Sequence, residues 1–149
     1  MAENLLSERL SLIATIDPQA SSTTLKSDVF DMEHFEKVLA IVSVGAFGTS
    51  GTLDAKFEAS ATSNGTFTTV SGKTITQLTE PGSDGNKQVL INLSAAEVAA
   101  STARWGRVFV TNAKGSNTYS VVVLGQPRRT EAFTTIARKD LSTVDEIVT

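Results

Sequence analysis

The middle of the chain alternates apolar and polar residues with a period of two. Between positions 53 and 60, the residues Leu53, Ala55, Phe57 and Ala59 share one face, and polar residues occupy the other. Successive side chains of a β-strand point to opposite sides of the pleat. The alternation therefore predicts a strand with one buried face.

Two other runs, Val38–Val44 and Tyr119–Leu124, are apolar on both faces, which predicts central strands that are covered on both sides. Further strand-like runs occur at 67–70, 73–78, 87–93 and 104–111, separated by clusters of Gly, Asn, Ser and Asp. Short strands at hairpin spacing are typical of a sandwich. We predict an all-β domain over residues 36–126, a β-sandwich or jelly roll of seven to eight antiparallel strands.

Local signals mark several boundaries inside this domain. Asn64-Gly65 favours a tight hairpin turn with positive φ at both positions. Ser71-Gly72 predicts another turn. Ser94 followed three residues later by Glu97 is the pattern of a capping box, which predicts one or two helical turns.

The segment before the domain, residues 1–35, predicts a short helix followed by an extended arm. Within residues 2–14, Leu6, Leu10 and Ile13 have the i, i+4, i+7 spacing of an amphipathic helix, and Asp17-Pro18 ends it. Because a helix this short is only marginally stable by itself, its apolar side needs a partner surface. That surface is either its own domain or a neighbouring subunit.

The segment after the domain, residues 127–149, predicts a second arm. It is too rich in apolar residues for a disordered tail, and their spacing is too irregular for one helix. We therefore expect it to order against another surface. The predicted partner-binding residues of the two arms are Leu6, Leu10, Ile13, Arg128, Arg129, Phe133, Ile136 and Leu141.

Composition and charge narrow the function classes. The chain has 149 residues, enough for one domain, and it lacks cysteine, which excludes disulfides and thiolate chemistry. The net charge is −3, and residues 1–37 carry seven acids against three bases. No basic face that tracks a phosphate backbone is evident, so we expect no nucleic-acid partner. No apolar run approaches the roughly 18 residues of a membrane span, so we expect no membrane partner.

The candidate chemistry is sparse. His34 is the only histidine, and its acidic neighbours Asp31, Glu33 and Glu36 lack the spacing of a metal site. No Gly-x-Ser-x-Gly pattern supplies a nucleophile. We predict a protein that is not an enzyme and that has no cofactor and no metal.

Aromatic and basic residues near the end of the domain leave alternatives open. Trp105 and Tyr119 would suit sugar stacking if they were exposed, but the apolar strand around Trp105 favours its burial in the core. Arg104 and Arg107 either pair with a carboxylate across a subunit contact or lie at a solvated strand edge.

Two resemblances follow from these runs. Asn64–Val70 together with Arg104–Val110 resembles the jelly-roll layout of galactose-binding-like and discoidin-type domains. This resemblance implies the fold, and it gives a carbohydrate-binding module as an alternative function.

The second resemblance spans about residues 38–125. The runs Ala40–Ala46, Thr52–Glu58, Lys73–Thr79, Lys87–Leu93 and Val121–Gly125 resemble small virion proteins of tailed bacteriophages. The resemblance implies a capsid decoration (cement) protein on the capsid surface of a virion assembled in the host cytoplasm. Its expected partners are the major capsid protein and further copies of itself, as a homotrimer. A tail or head-tail connector component is the other alternative.

Overall fold

The computed structural model describes residues 6–128 and 144–146. Strands make up most of this part of the chain, and the two helices are short. In chain order the elements are α1 (Leu6–Arg9), β1 (Ser11–Ser21), β2 (Leu25–Lys26), β3 (Phe30–Asp31), β4 (Phe35–Val44), β5 (Thr52–Ser60), β6 (Thr68–Thr74), β7 (Leu78–Thr79), β8 (Gln88–Ser94), α2 (Ala95–Ala100), β9 (Trp105–Lys114) and β10 (Asn117–Pro127).

The strands form two antiparallel sheets. The four-stranded sheet has the order β1-β10-β4-β8, and the six-stranded sheet has the order β2-β9-β5-β6, with β3 added to β9 and β7 added to β5. Strands β2 and β3 both pair with β9 and count as one interrupted strand, and β6 and β7, which both pair with β5, count as another. Neighbours in each sheet then come alternately from the first four and the last four of the resulting eight strands. This is the strand order of a jelly roll, and it confirms the predicted fold class.

The core lies between the two sheets. The inward residues of β5 predicted from the alternation, Leu53, Ala55, Phe57 and Ala59, are all at most 2% exposed. They face the inward valines of β4 and β10 across the sandwich. Burial of one such large side chain is worth about 1.5–3 kcal/mol, so these contacts are the main source of stability.

Two glycines make room for phenylalanine rings. A Cβ at Gly106 would lie 2.5 Å from the Phe30 ring, and one at Gly125 would lie 2.6 Å from the Phe35 ring. Each ring therefore packs on bare backbone. Phe30 also meets Phe57 edge to face, with ring centroids 6.2 Å apart.

The predicted N-terminal helix is wrong over most of its described length. Only Leu6–Arg9 is helical, and Ser11–Ser21 is β1, which pairs with β10. Eight residue pairs along this ladder outweigh a helix that is marginal alone. Asp17-Pro18 does not end a helix: it lies in edge strand β1, where proline is tolerated.

This pairing also corrects the predicted boundary of the sandwich. Residues 11–21, 25–26 and 30–31 belong to the two sheets, so the described part of 1–35 is not a separate arm. A truncation of residues 1–20 would therefore remove most of strand β1. At the other end, β10 extends to Pro127, one residue beyond the predicted limit.

Two predicted turns also differ. Ser71-Gly72 lies within β6 and forms an irregularity against β5, with Gly72 at a φ of +72°. Asn64-Gly65 does lie in the loop before β6, where the Gly65 N–H donates to the Thr62 carbonyl at 3.2 Å. Neither of those two residues has positive φ, so this is not the predicted hairpin turn.

The predicted capping box is present at α2. The Ser94 side chain accepts a hydrogen bond from the Glu97 N–H, and the Glu97 carboxylate accepts one from the Ser94 N–H at 2.9 Å. These reciprocal bonds satisfy two donors that would otherwise lack partners. They also determine where β8 ends.

Candidate protein-interaction surface

The outer face of the four-stranded sheet carries an unusually apolar patch. Two adjacent rows of residues cross β1, β10, β4 and β8 in register and point away from the core. The rows are Leu12, Leu124, Leu39 and Asn92, and next to it Thr15, Val122, Ile41 and Leu90. Six of these eight side chains are apolar, and we call these six residues the outer patch.

Polar rows bound the outer patch along the strands. Ser120, Ser43 and Gln88 form the row on one side. Gln126, Lys37 and Ser94 form the row on the other. Strands about 4.8 Å apart and rows about 6.8 Å apart give the patch a size of roughly 19 by 14 Å. Within it, Leu90 is 60% exposed and Val122 is 37% exposed.

Two exposed leucines, one in α1 and one just after it, precede β1 in the chain. Leu6 is 73% exposed, and Leu10 is 37% exposed. Leu10 lines a small cavity of about 140 Å³ together with Leu39 and Leu124 of the patch and with Lys37 at its border. The apolar surface thus continues from the sheet to the residues just before β1.

The predicted partner-binding residues divide into three groups. Leu6 and Leu10 are exposed as the prediction requires, whereas Ile13 is 5% exposed and belongs to the chain's own core. Ile13 is therefore a wrong assignment: it lies in β1 rather than on a helix. Arg128 is exposed, and its N–H donates to the His34 carbonyl at 3.0 Å. The remaining predicted residues, Arg129, Phe133, Ile136 and Leu141, lie outside the described residues.

The sequence patterns did not single out the outer patch itself. Its signal was the apolar character of Val38–Val44 and Tyr119–Leu124 on both faces. That pattern predicts burial on both sides. In the structure the inward half of each run is in the core, and the outward half forms the centre of the patch.

The acidic cluster around His34 is held by an arginine. One ligand-type atom from each of Asp31, Glu33 and His34 lies within 4.8 Å of the others. Arg104 donates two hydrogen bonds to Asp31 and forms an ion pair with Glu33. Burial raises the pKa of Asp31, but the bonds from Arg104 and from the Glu33 N–H, with the nearby positive charges, together lower it below its ordinary value.

The two arginines expected at a subunit contact or a solvated edge have partners within the chain. Arg104 binds Asp31, and Arg107 donates to Glu58 at 2.9 and 2.7 Å. Trp105 is half-buried on the outer face of the six-stranded sheet rather than in the core, and the Arg104 guanidinium lies 5.4 Å from its ring centre. Tyr119 is 1% exposed, so it cannot contribute to a sugar-stacking surface.

Comparisons with known proteins identify no family for this chain. Neither helix in the described ranges is long and apolar enough to cross a membrane. No protein-family model matches the chain, and no curated protein matches it. Among solved structures it is similar to the SPBc2 prophage-derived protein YomS, with 14% identity and a TM-score of 0.45. The alignment covers 84% of this chain and 97% of YomS.

Proposed function

We propose that this chain is a non-enzymatic structural protein of a phage virion, a decoration protein that binds the major capsid protein and associates with itself. The observation that carries the proposal is the outer patch. An antiparallel sheet with one solvated face normally shows polar residues there. Here leucine, isoleucine and valine occupy six of the eight positions in two adjacent rows, which suits a surface that another polypeptide covers.

Two further observations support this function. The exposed Leu10, which lines a cavity with Leu39 and Leu124, extends the apolar surface beyond the sheet. The jelly roll is a fold that recurs in viral capsid proteins, an analogy at the level of fold, and the runs of residues 38–125 resemble small virion proteins. The carbohydrate-binding alternative loses one of its two aromatics, because Tyr119 is in the core.

The test is co-sedimentation of the purified full-length chain with phage heads that lack it, prepared from the phage whose genome encodes it. We expect the unmodified chain to sediment with the heads and Val122→Asp to lose most of that binding, because a charge in the outer patch must be desolvated on docking. Thr118→Asp is the matched control, since Thr118 is an exposed residue of the same strand outside the patch. Unmodified protein that stays in the supernatant would refute the proposal, as would Val122→Asp that binds as well as Thr118→Asp.

A further inference from the structure

Strand β8 has an unpaired edge. It is the last strand of the four-stranded sheet, and among the residues that the structure describes only β4 pairs with it. The Val44 N–H donates to the Lys87 carbonyl at 2.9 Å, which sets the alternation of hydrogen bonds along this ladder. Val89, Ile91 and Leu93 therefore direct their backbone groups toward β4. Gln88, Leu90 and Asn92, the intervening residues, direct theirs away from the sheet.

The other sheet edges carry features that prevent further pairing. In β1, Asp17-Pro18 coincides with a shift in register, and β6 has an irregularity at Gly72 beside Lys73. On the remaining edge, β2 and β3 have only two residues each. Short strands, prolines, charges and bulges are the devices by which natural sheets avoid edge-to-edge association. From Gln88 to Leu93, β8 is regular and contains no charge, proline or glycine.

The free edge of β8 is complementary to itself. If two copies run antiparallel about a twofold axis at Leu90, Gln88 lies opposite the partner's Asn92, and Leu90 lies opposite the partner's Leu90. By the same symmetry Asn92 lies opposite the partner's Gln88, and each of the three pairs exchanges an N–H···O bond in both directions, about six bonds in total. The pairs place neutral side chains against neutral side chains, so no charge repulsion opposes them.

Space and apolar contact also favour this arrangement. A groove of about 470 Å³ runs along the edge of β8, lined by Val89–Asn92 on one side and by residues 72–76 and Leu78 on the other. The row of Val122, Ile41 and Leu90 ends at this edge. A second copy would continue the row and cover Leu90, which is 60% exposed in the single chain.

We propose that two copies of this chain pair β8 with β8 in antiparallel orientation about a twofold axis at Leu90, which joins their four-stranded sheets into one of eight strands. The inference follows from the sheet edge and stands independently of the proposed virion function. A twofold contact gives a dimer or a larger even assembly, rather than the homotrimer predicted from the sequence.

The first experiment is light scattering and sedimentation equilibrium on the full chain over a range of concentrations. We expect a reversible dimer for the unmodified protein. Leu90→Lys and Leu90→Glu each place like charges opposite each other across the axis, so each alone should raise the dissociation constant about a hundredfold or more. An equimolar mixture of the two variants should restore the dimer, because only the mixed pair joins opposite charges. Thr118→Lys, on the same sheet face but away from the edge, should dimerise normally.

The second measurement is amide hydrogen exchange. The Leu90 amide should exchange rapidly in the dilute monomer and at least about tenfold more slowly in the concentrated dimer. The Val89 and Ile91 amides, which bond to β4, should be protected in both. A chain that stays monomeric or forms a trimer overturns the proposal. So does a Leu90→Lys variant with the mass of the unmodified protein, or a mixture of charge variants that fails to pair.

Discussion

The outer faces of the two sheets differ in how far each satisfies its own side chains. On the six-stranded sheet, Arg107 lies 4.2 Å from the centre of the Phe67 ring and binds Glu58. Lys56 donates to the Thr69 hydroxyl at 2.9 Å and lies 5.1 Å from the centre of the Phe109 ring. Aromatic rings on this face are covered by cations of the same chain.

In the part of the chain that the structure describes, the four-stranded sheet has no comparable arrangement on its outer face. Six of the eight side chains in its two central rows are aliphatic, and Leu90 and Val122 remain exposed. A cation above an aromatic ring keeps its contact with water, whereas an aliphatic row gains stability only if another surface covers it. The difference assigns the first face to the stability of the single chain and makes the second the candidate for association.

The largest effect that tests this comparison is expected for Arg107→Met. The Glu58 side chain is 7% exposed and would lose two hydrogen bonds, leaving Lys56 as its remaining charged partner. A buried carboxylate that loses both guanidinium bonds and one of its two charged partners is costly, so we expect the free energy of unfolding to fall by about 2–3 kcal/mol in urea titrations. The double variant Arg107→Met with Glu58→Leu should recover part of the loss. A loss below about 0.5 kcal/mol would show that the face does not depend on this pair.

A smaller effect, dependent on pH, is expected for Asp31→Asn. The lowered pKa of Asp31 means that its contribution to stability is present above the unfolded value of about 3.9 and is lost as the pH falls through the folded pKa. Because Arg104 is half exposed, solvent screens the pair, and the effect should be smaller than for Arg107→Met.

The measurement is the urea midpoint of unfolding as a function of pH, from 6 down to 2.5. The Asp31→Asn variant should lose less stability on acidification than the unmodified chain. Arg104→Met should flatten the profile in a similar way, and the double variant should add little, because both changes remove one interaction. Parallel profiles for the unmodified chain and Asp31→Asn would contradict the assignment.

The features that the sequence predicts correctly are those that depend on residues close together in the chain. The alternation at Leu53–Ser60 and the capping box at Ser94 and Glu97 depend on neighbours in the chain, and both are confirmed. The pairing of β1 with β10 joins Ser11 to Gly125, so no local pattern distinguishes it from a marginal helix. The bond from Arg104 to Asp31 likewise spans 73 residues.

The sequence does not identify the outer patch for a different reason. An apolar run such as Val38–Val44 has the same sequence whether its outward side is covered by the same chain or by another one. Only the sheet order and the exposure of Val122 and Leu90 distinguish these cases. To identify the backbone groups on the free edge of β8, the register of the β4–β8 ladder is needed as well.

The smallest effect should come from Val122→Thr, a change of nearly equal shape in the outer patch. Thr retains the β-branched side chain that strands favour, and solvent reaches this position, so the isolated chain should lose less than about 0.5 kcal/mol of unfolding free energy. The next residue provides the matched control, because Val123 is 0% exposed in the core, and Val123→Thr should cost about 1–3 kcal/mol by burying a hydroxyl. Chemical denaturation of both variants at low protein concentration makes the comparison. If Val122→Thr proved as costly as Val123→Thr, the outer patch would already be buried in the single chain, and its assignment as an interaction surface would fail.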